Sequence, residues 1–210
     1  IITRAMGLSP VVDVDLFGLP ADHEAVEAVC RKYGLLLLED AAQGFGGTLH
    51  GKKNCAFGDA ACTSFFPAKP LGCYGDGGAV FTNDDDAAAM LRSLCVHGKS
   101  ELDKYDNLRL GMNSRLDTIQ AAVLGVKMSA FTEYELESVN RAAAMYTARL
   151  ADRVATPVIP ANFYSSWAQY TIKLADRRQR DAVQSTLREK DIPTMVYYPK
   201  CMHQQGAFAA

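Results

Sequence analysis

The chain has no apolar run approaching the roughly 20 residues that a helix needs to cross a bilayer, and no charged-then-apolar leader segment. It has no run of Lys or Arg longer than two residues, and a formal charge of −2 with a pI near 6.1 leaves no basic patch for nucleic acid. The six cysteines, Cys30, Cys55, Cys62, Cys73, Cys95 and Cys201, show no CxxC spacing, and His23, His50, His97 and His203 do not stand at ligand spacing from them. A zinc framework and a disulfide framework are both excluded on that pattern. The thiols read as reduced, so a cytoplasmic protein is expected, with no metal and no membrane or nucleic-acid partner. Internal repeats are absent, and the only biased tracts are brief alanine-rich helices. What is present is the composition of a folded globular protein, 49% hydrophobic and 22% charged over 210 residues, a length that allows one or two domains.

The order of elements reads as α/β. Residues 11–17 predict a strand, 22–33 a helix with Asp22 at its start, and the run Leu35-Leu36-Leu37-Leu38 a short strand buried on both faces, which together make a βαβ unit. Strands over 60–66 and 78–82 flank a glycine-rich turn, and acidic residues open a helix over 84–96. The spacing of Leu116, Ile119, Val123 and Val126 starts a long helical region over 116–150, with Asn113 or Ser114 as candidate caps. A smaller unit follows, with a strand over 167–174, a helix over 177–190 and a strand over 194–198. Its boundary falls near 154–160.

Within this frame Lys69 is the most informative residue. The run Ser64-Phe65-Phe66-Pro67-Ala68-Lys69-Pro70-Leu71-Gly72 delivers one amine from an apolar strand into a glycine-rich turn. Mostly apolar surroundings favour the uncharged amine, and an uncharged amine forms imines. Taken alone, the residue reads first as a solvated turn lysine, and its company is what lifts it. Asp40, in Glu39-Asp40-Ala41-Ala42-Gln43, falls at the carboxyl end of the apolar strand, where open α/β sheets form their ligand crevice. A carboxylate there can hold a pyridine nitrogen protonated, or it can cap a helix. Gly75-Asp76-Gly77-Gly78 lacks a Walker Lys-Ser/Thr and precedes a strand, so it reads as a turn. His97 has a helix-capping reading first and a substrate role second, and Tyr198 has a core or edge-strand reading beside a substrate role.

These runs, with Asn113-Ser114-Arg115-Leu116-Asp117-Thr118-Ile119-Gln120-Ala121-Ala122, resemble the DegT/DnrJ/EryC1/StrS family of nucleotide-sugar aminotransferases, in the family's order and at similar separations from about Val11 to about Phe208. The resemblance implies a fold-type I, pyridoxal 5'-phosphate-dependent aminotransferase, with a mostly parallel central sheet, flanking helices and a smaller C-terminal α/β domain. Residues 1–153 would belong to the large cofactor-binding domain and its linking helix, and 154–210 to the small domain. It implies Lys69 as the Schiff-base lysine, Asp40 as partner of the pyridine nitrogen, Gln43 beside the ring, Ser64 on the phosphate, and Asn113 reaching the phosphate of a neighbouring subunit in a homodimer with shared active sites. His97 and Tyr198 would lie near the sugar. The implied reaction carries an amino group from an amino acid, glutamate in the first place, to a keto nucleotide-sugar. Within the group, residues 61–79 look most like enzymes that aminate the 3-keto sugar of UDP-2-acetamido-2-deoxy-hexuluronate.

Three alternatives accompany this reading. The family's sugar 3-dehydratases carry histidine at the lysine position, non-catalytic regulatory relatives dispense with the cofactor, and a cysteine desulfurase needs a cysteine in a mobile loop. Tyr197 departs from the His-Tyr-Pro that relatives often carry. The upstream phosphate loop and ring-stacking aromatic of the family are not in the sequence, and residues 1–10 fit the pattern poorly, so a fragment is expected.

Overall fold

The computed structural model of the chain describes residues 10–103 and 105–208, and the 1–10 junction, Pro10 apart, lies outside the described residues. In chain order the strands there are β1 (Pro10–Val14), β2 (Leu36–Asp40), β3 (Thr48–Leu49), β4 (Lys52–Lys53), β5 (Ala60–Ser64), β6 (Gly78–Phe81) and β7 (Phe163–Tyr164). The main sheet runs β1-β2-β5-β6, with the first three strands parallel and β6 an antiparallel edge. This is the mostly parallel sheet that the sequence predicts. β1 is shorter than expected because residues 16–18 turn into a 3-10 segment with Phe17 at φ 62°.

The four-leucine run forms β2, but it is not buried on both faces as expected. Leu37 and Glu39 are buried, while Leu36, Leu38 and Asp40 on the alternate face are only half-buried. The strand also continues through Asp40, which becomes its last residue. The buried face is covered by α1 (His23–Tyr33), whose N-cap Asp22 accepts from the Ala25 N–H and whose buried residues are His23 and Cys30.

The second helix, α2 (Asp85–Cys95), is capped by Asp84, which accepts from the Ala87 N–H, with Asp85 and Asp86 in the first turn. The expected single helical region is interrupted: α3 (Thr118–Ala130) passes through a π-helical turn at Phe131–Glu135 into α4 (Leu136–Leu150). The cap of α3 is Asp117, not Asn113 or Ser114. Its inward face differs in part from the predicted one, since Val123 packs against the core. Ile119 and Val126 are exposed, and Leu124 and Phe131 enter a core with Phe65, Leu71 and Cys73. That pocket beneath the lysine turn accepts large side chains, and burying each contributes on the order of 2 kcal/mol.

Two compact units result. The first comprises Ile1–Met145 with Val158–Tyr170, and includes β7, which pairs with β3. The second comprises Tyr146–Pro157 with Thr171–Ala210 and carries α5 (Arg177–Arg188), capped by Asp176. The strands expected over 167–174 and 194–198 do not form. A strand requires a hydrogen-bonding neighbour along its length, and the only pairing there is a single bridge between Ala155 and Lys173.

Candidate active site

The carboxyl ends of β2 and β5 bring two predicted residues onto one surface. Asp40 pairs in register with Cys62, and Ser64 lies two residues further along β5, so alternation puts Asp40, Cys62 and Ser64 on the same face. The Asp40 Oδ1 accepts from the Ala42 N–H at 3.0 Å, and Oδ2 has no donor among the described residues. The Ser64 Oγ accepts from the Phe66 N–H at 3.2 Å, which leaves its own O–H free to donate outward.

Lys69 follows directly in a turn with little freedom. Its N–H donates to the Phe66 carbonyl at 2.9 Å, the Cys73 N–H returns to the Phe65 carbonyl at 2.8 Å, and Leu71 and Cys73 are buried beneath it. Gly72 is required here, because a Cβ at that position would lie 2.6 Å from the Pro67 carbonyl oxygen. Lys69 is half-buried and lines a hollow of about 350 Å³ with Phe131, Tyr134, Glu135 and Trp167.

Gln43 stands in the turn after β2, where its Oε1 accepts from the Phe17 N–H at 2.6 Å. The sequence reading missed what joins Gln43 to the lysine turn. Ser166 is buried and donates through Oγ to the Gln43 carbonyl at 3.0 Å, while the adjacent Trp167 and Ala168 line the Lys69 hollow. Trp167 is fixed by its indole N–H donating to Asn140 Oδ1 at 2.9 Å. The available signal was the chain's single tryptophan, which the predicted 167–174 strand absorbed.

Asn113 and His97 are brought together, and neither lines the Lys69 hollow. Val96 bridges Asn113, the His97 N–H donates to the Met112 carbonyl at 3.0 Å, and both side chains are exposed. Asn113 and Cys62 line a groove of about 1280 Å³, distinct from the Lys69 hollow. Tyr198 belongs to the second unit, is exposed and packs edge-on against Tyr197.

Behind the crevice, on the α1 side of the sheet, lies a charged cluster that no sequence spacing announces. His23, Asp15 and Glu39 are 0% exposed and Asp13 is 8% exposed. His23 Nδ1 meets Asp13 Oδ2 at 2.8 Å, and Nε2 lies 3.1 Å from Asp15 Oδ1 and 3.9 Å from Glu39 Oε1. The contact to Asp15 is an ion pair whose angle is bent away from the hydrogen-bond direction. Burial alone would lower the His23 pKa, but the hydrogen bond to Asp13 and the charges of Asp13 and Asp15 outweigh it and raise it to about 9. Burial pushes Glu39 up to about 7, against the Cys55 and Phe57 N–H groups that donate to it. The same surroundings push the Cys55 thiol up to about 12, by burial and then by Glu39 and Asp15. Burial followed by Asp40 and Glu39 raises Cys62, so neither is a thiolate near neutral pH.

A half-buried amine in a rigid turn after β5 and a carboxylate at the end of the neighbouring parallel strand β2 are groups that a cofactor-binding crevice of an α/β protein can use. The model of the DegT/DnrJ/EryC1/StrS aminotransferase family matches residues 2–210, and the chain belongs to that family. It is 44% identical over 200 residues to the UDP-2-acetamido-2-deoxy-3-oxo-D-glucuronate aminotransferase of Pseudomonas aeruginosa, covering 95% of this chain and 54% of that protein. It is 43% identical over 204 residues to a pleiotropic regulatory protein of Geobacillus stearothermophilus, covering 95% of this chain and 53% of that one. The crystal structure of a DegT DnrJ EryC1 StrS aminotransferase from Brucella abortus superposes with a TM-score of 0.89 at 47% identity, covering 99% of this chain and 55% of that one. The chain thus spans about half the length of the curated relatives it matches.

Proposed function

We propose that this chain carries the lysine-bearing part of a pyridoxal 5'-phosphate-dependent aminotransferase that moves an amino group from an amino acid, glutamate in the first place, to a keto nucleotide-sugar. One observation carries the reading: Asp40 and Ser64 share one face at the carboxyl ends of adjacent parallel strands, and the Lys69 turn follows immediately. The groups match the cofactor's chemistry. Asp40 has an oxygen without a donor for a ring N–H, and Ser64 has an unspent O–H for a phosphate oxygen. When bound, pyridoxal phosphate supplies the electron sink for amino-group transfer.

The residues then divide the work. Lys69 would hold the cofactor through its amine, and that amine, kept in place by the rigid turn, would move the proton at the amino donor's α-carbon. Asp40 would keep the ring nitrogen protonated, Gln43 would border the ring and Ser64 would donate to the phosphate. Asn113, exposed here, serves the phosphate of a second copy in a homodimer. His97 and Tyr198 take the sugar. Residues 1–153 act as part of the cofactor-binding domain and 154–210 as part of the small one. The acceptor class, a UDP-linked 2-acetamido-3-keto uronic acid, is supported by the likeness to the Pseudomonas aeruginosa enzyme. The cytoplasm is the proposed compartment, supported by six free cysteines.

A regulatory role is the second reading, favoured by the Geobacillus stearothermophilus relative and opposed by the presence of Lys69, Asp40, Gln43 and Ser64 together. Lys69 itself opposes a 3-dehydratase, and the raised Cys55 and Cys62 pKa values oppose a desulfurase that would use either thiol. The test uses the full-length protein. Borohydride should fix pyridoxal phosphate to a peptide containing Lys69, glutamate added first should prevent the fixation by converting the cofactor to its amine form, and Lys69→Ala should retain none. Absence of fixation in the wild-type protein overturns the aminotransferase reading in favour of the regulatory one.

A further inference from the structure

We infer that His23, as an imidazolium, is a positioning residue that holds Asp40 and Gln43 in the crevice from the opposite face of the sheet, an inference that rests on the function proposed above. Glu39 and Asp40 are neighbours on β2, so whatever fixes Glu39 fixes the strand end that presents Asp40. Glu39 is clamped by the Cys55 N–H at 2.6 Å and the Phe57 N–H at 3.0 Å. Asp15 accepts from the Ala21 N–H at 3.0 Å and from Asn54 Nδ2 at 2.6 Å, and the same Nδ2 donates to the Gly44 carbonyl at 3.0 Å, next to Gln43. A Cβ on Gly44 would come 2.3 Å from Asp15 Oδ2, so this turn and Asp15 fit only at close approach. Gln43 is reached a second way, because the Phe17 N–H that orients it lies two residues after Asp15.

His23 is the cationic side chain in direct contact with these carboxylates, and Asn54 adds only a neutral donor. Asp13 Oδ1 is buried without a hydrogen bond among the described residues, so the imidazolium on Oδ2 is the main compensation for that carboxylate. The charged groups facing His23 are Asp13 and Asp15 at the end of β1, Glu39 on β2, and Lys52 on β4. The Lys52 ammonium lies 4.2 Å from the ring centroid of Phe57, and that ring stacks on the imidazole at 4.1 Å. The thiols of Cys30, near Asp13, and of Cys55, near Glu39 and Asp15, are titratable neighbours of these carboxylates. Without the imidazolium three carboxylates share one dry space, and the strand ends and the 41–47 turn must separate to hydrate them.

The experiment is amide hydrogen exchange at neutral pH on the full-length protein without cofactor, comparing wild type, His23→Gln and His23→Gln/Asp13→Asn. Exchange in the peptide over 39–47 should rise on the order of a hundredfold in H23Q, as expected when a buried ion pair loses one partner, while the α5 peptide stays unchanged. The double variant, which removes the orphaned charge, should recover most of the protection, whereas loss of packing alone would leave the two substitutions additive or worse. Unchanged exchange over 39–47, or no recovery, overturns the proposal. Imidazole carbon resonances of the wild-type protein decide the matter if H23Q does not fold: a titration midpoint well above that of a free histidine supports the imidazolium, and one at or below it overturns it. None of these readouts requires pyridoxal phosphate to bind. Failure of Lys69 fixation with protected 39–47 amides would therefore sink the proposed reaction and leave the cluster standing as a structural one.

Discussion

On β2, Glu39 and Asp40 are adjacent carboxylates with opposite surroundings. Glu39 is fully buried, accepts two backbone N–H groups and lies 3.9 Å from His23, whereas Asp40 is half-buried and accepts one. The α1 face of the sheet spends its charges on each other, so its residues report on stability. The crevice face keeps acceptors and donors unspent, so its residues report on ligands. Alternation along one strand is enough to separate the two tasks.

The sharpest way to break this comparison is to substitute the two neighbours. In the full-length protein, Asp40→Asn should leave the unfolding free energy within about 0.5 kcal/mol while lowering the glutamate half-reaction by roughly a hundredfold or more. Glu39→Ala should destabilise by about 3 kcal/mol, because two buried N–H groups and part of the His23 environment lose their partner. Denaturant titration beside single-turnover kinetics checks both, and equal stability losses would dissolve the distinction.

The pH dependence of stability sharpens it. The folded His23 pKa, raised from 6.5 to about 9, gives stability that is complete below the lower value and is lost as pH rises through the upper one. Glu39, raised to about 7, acts in the same direction, since its ionisation is opposed in the folded state. Chemical unfolding of the wild-type protein should therefore show stability falling by about 3 kcal/mol between neutral pH and the far side of the His23 transition, and His23→Gln should flatten that fall. The smallest expected effect is Asp22→Ala. Loss of the α1 cap should lower stability by about 1 kcal/mol, read by thermal unfolding, with cofactor fixation at Lys69 unchanged.

Much of the local structure around Asp40, Ser64 and Lys69 was legible in the sequence because its parts are local. The four-leucine run, the acidic residues after it and the glycine-bounded lysine turn each span a few residues, and Asp22 and Asp84 announced their helices by position alone. The errors fall where neighbours decide. The apolar residues around 167–174 suit a strand, yet no partner strand lies along them, and the Ser166–Trp167 pair instead joins Gln43 to the Lys69 hollow. In α3 the spacing was helical and Val123 packs against the core under the lysine turn, but Ile119 and Val126 are exposed and Leu124 enters the core instead.

The sequence by itself determined which short elements deliver the candidate residues, because propensity, capping and alternation act over a few residues. Only the tertiary structure decided that Asp13, Asp15, His23 and Glu39 share one dry space. The parallel register of β1 with β2 sets Asp13 beside Glu39, and α1 lowers His23 between them. No spacing along the chain encodes that convergence. It arises where water is excluded, and there charges separated in sequence become one coupled group.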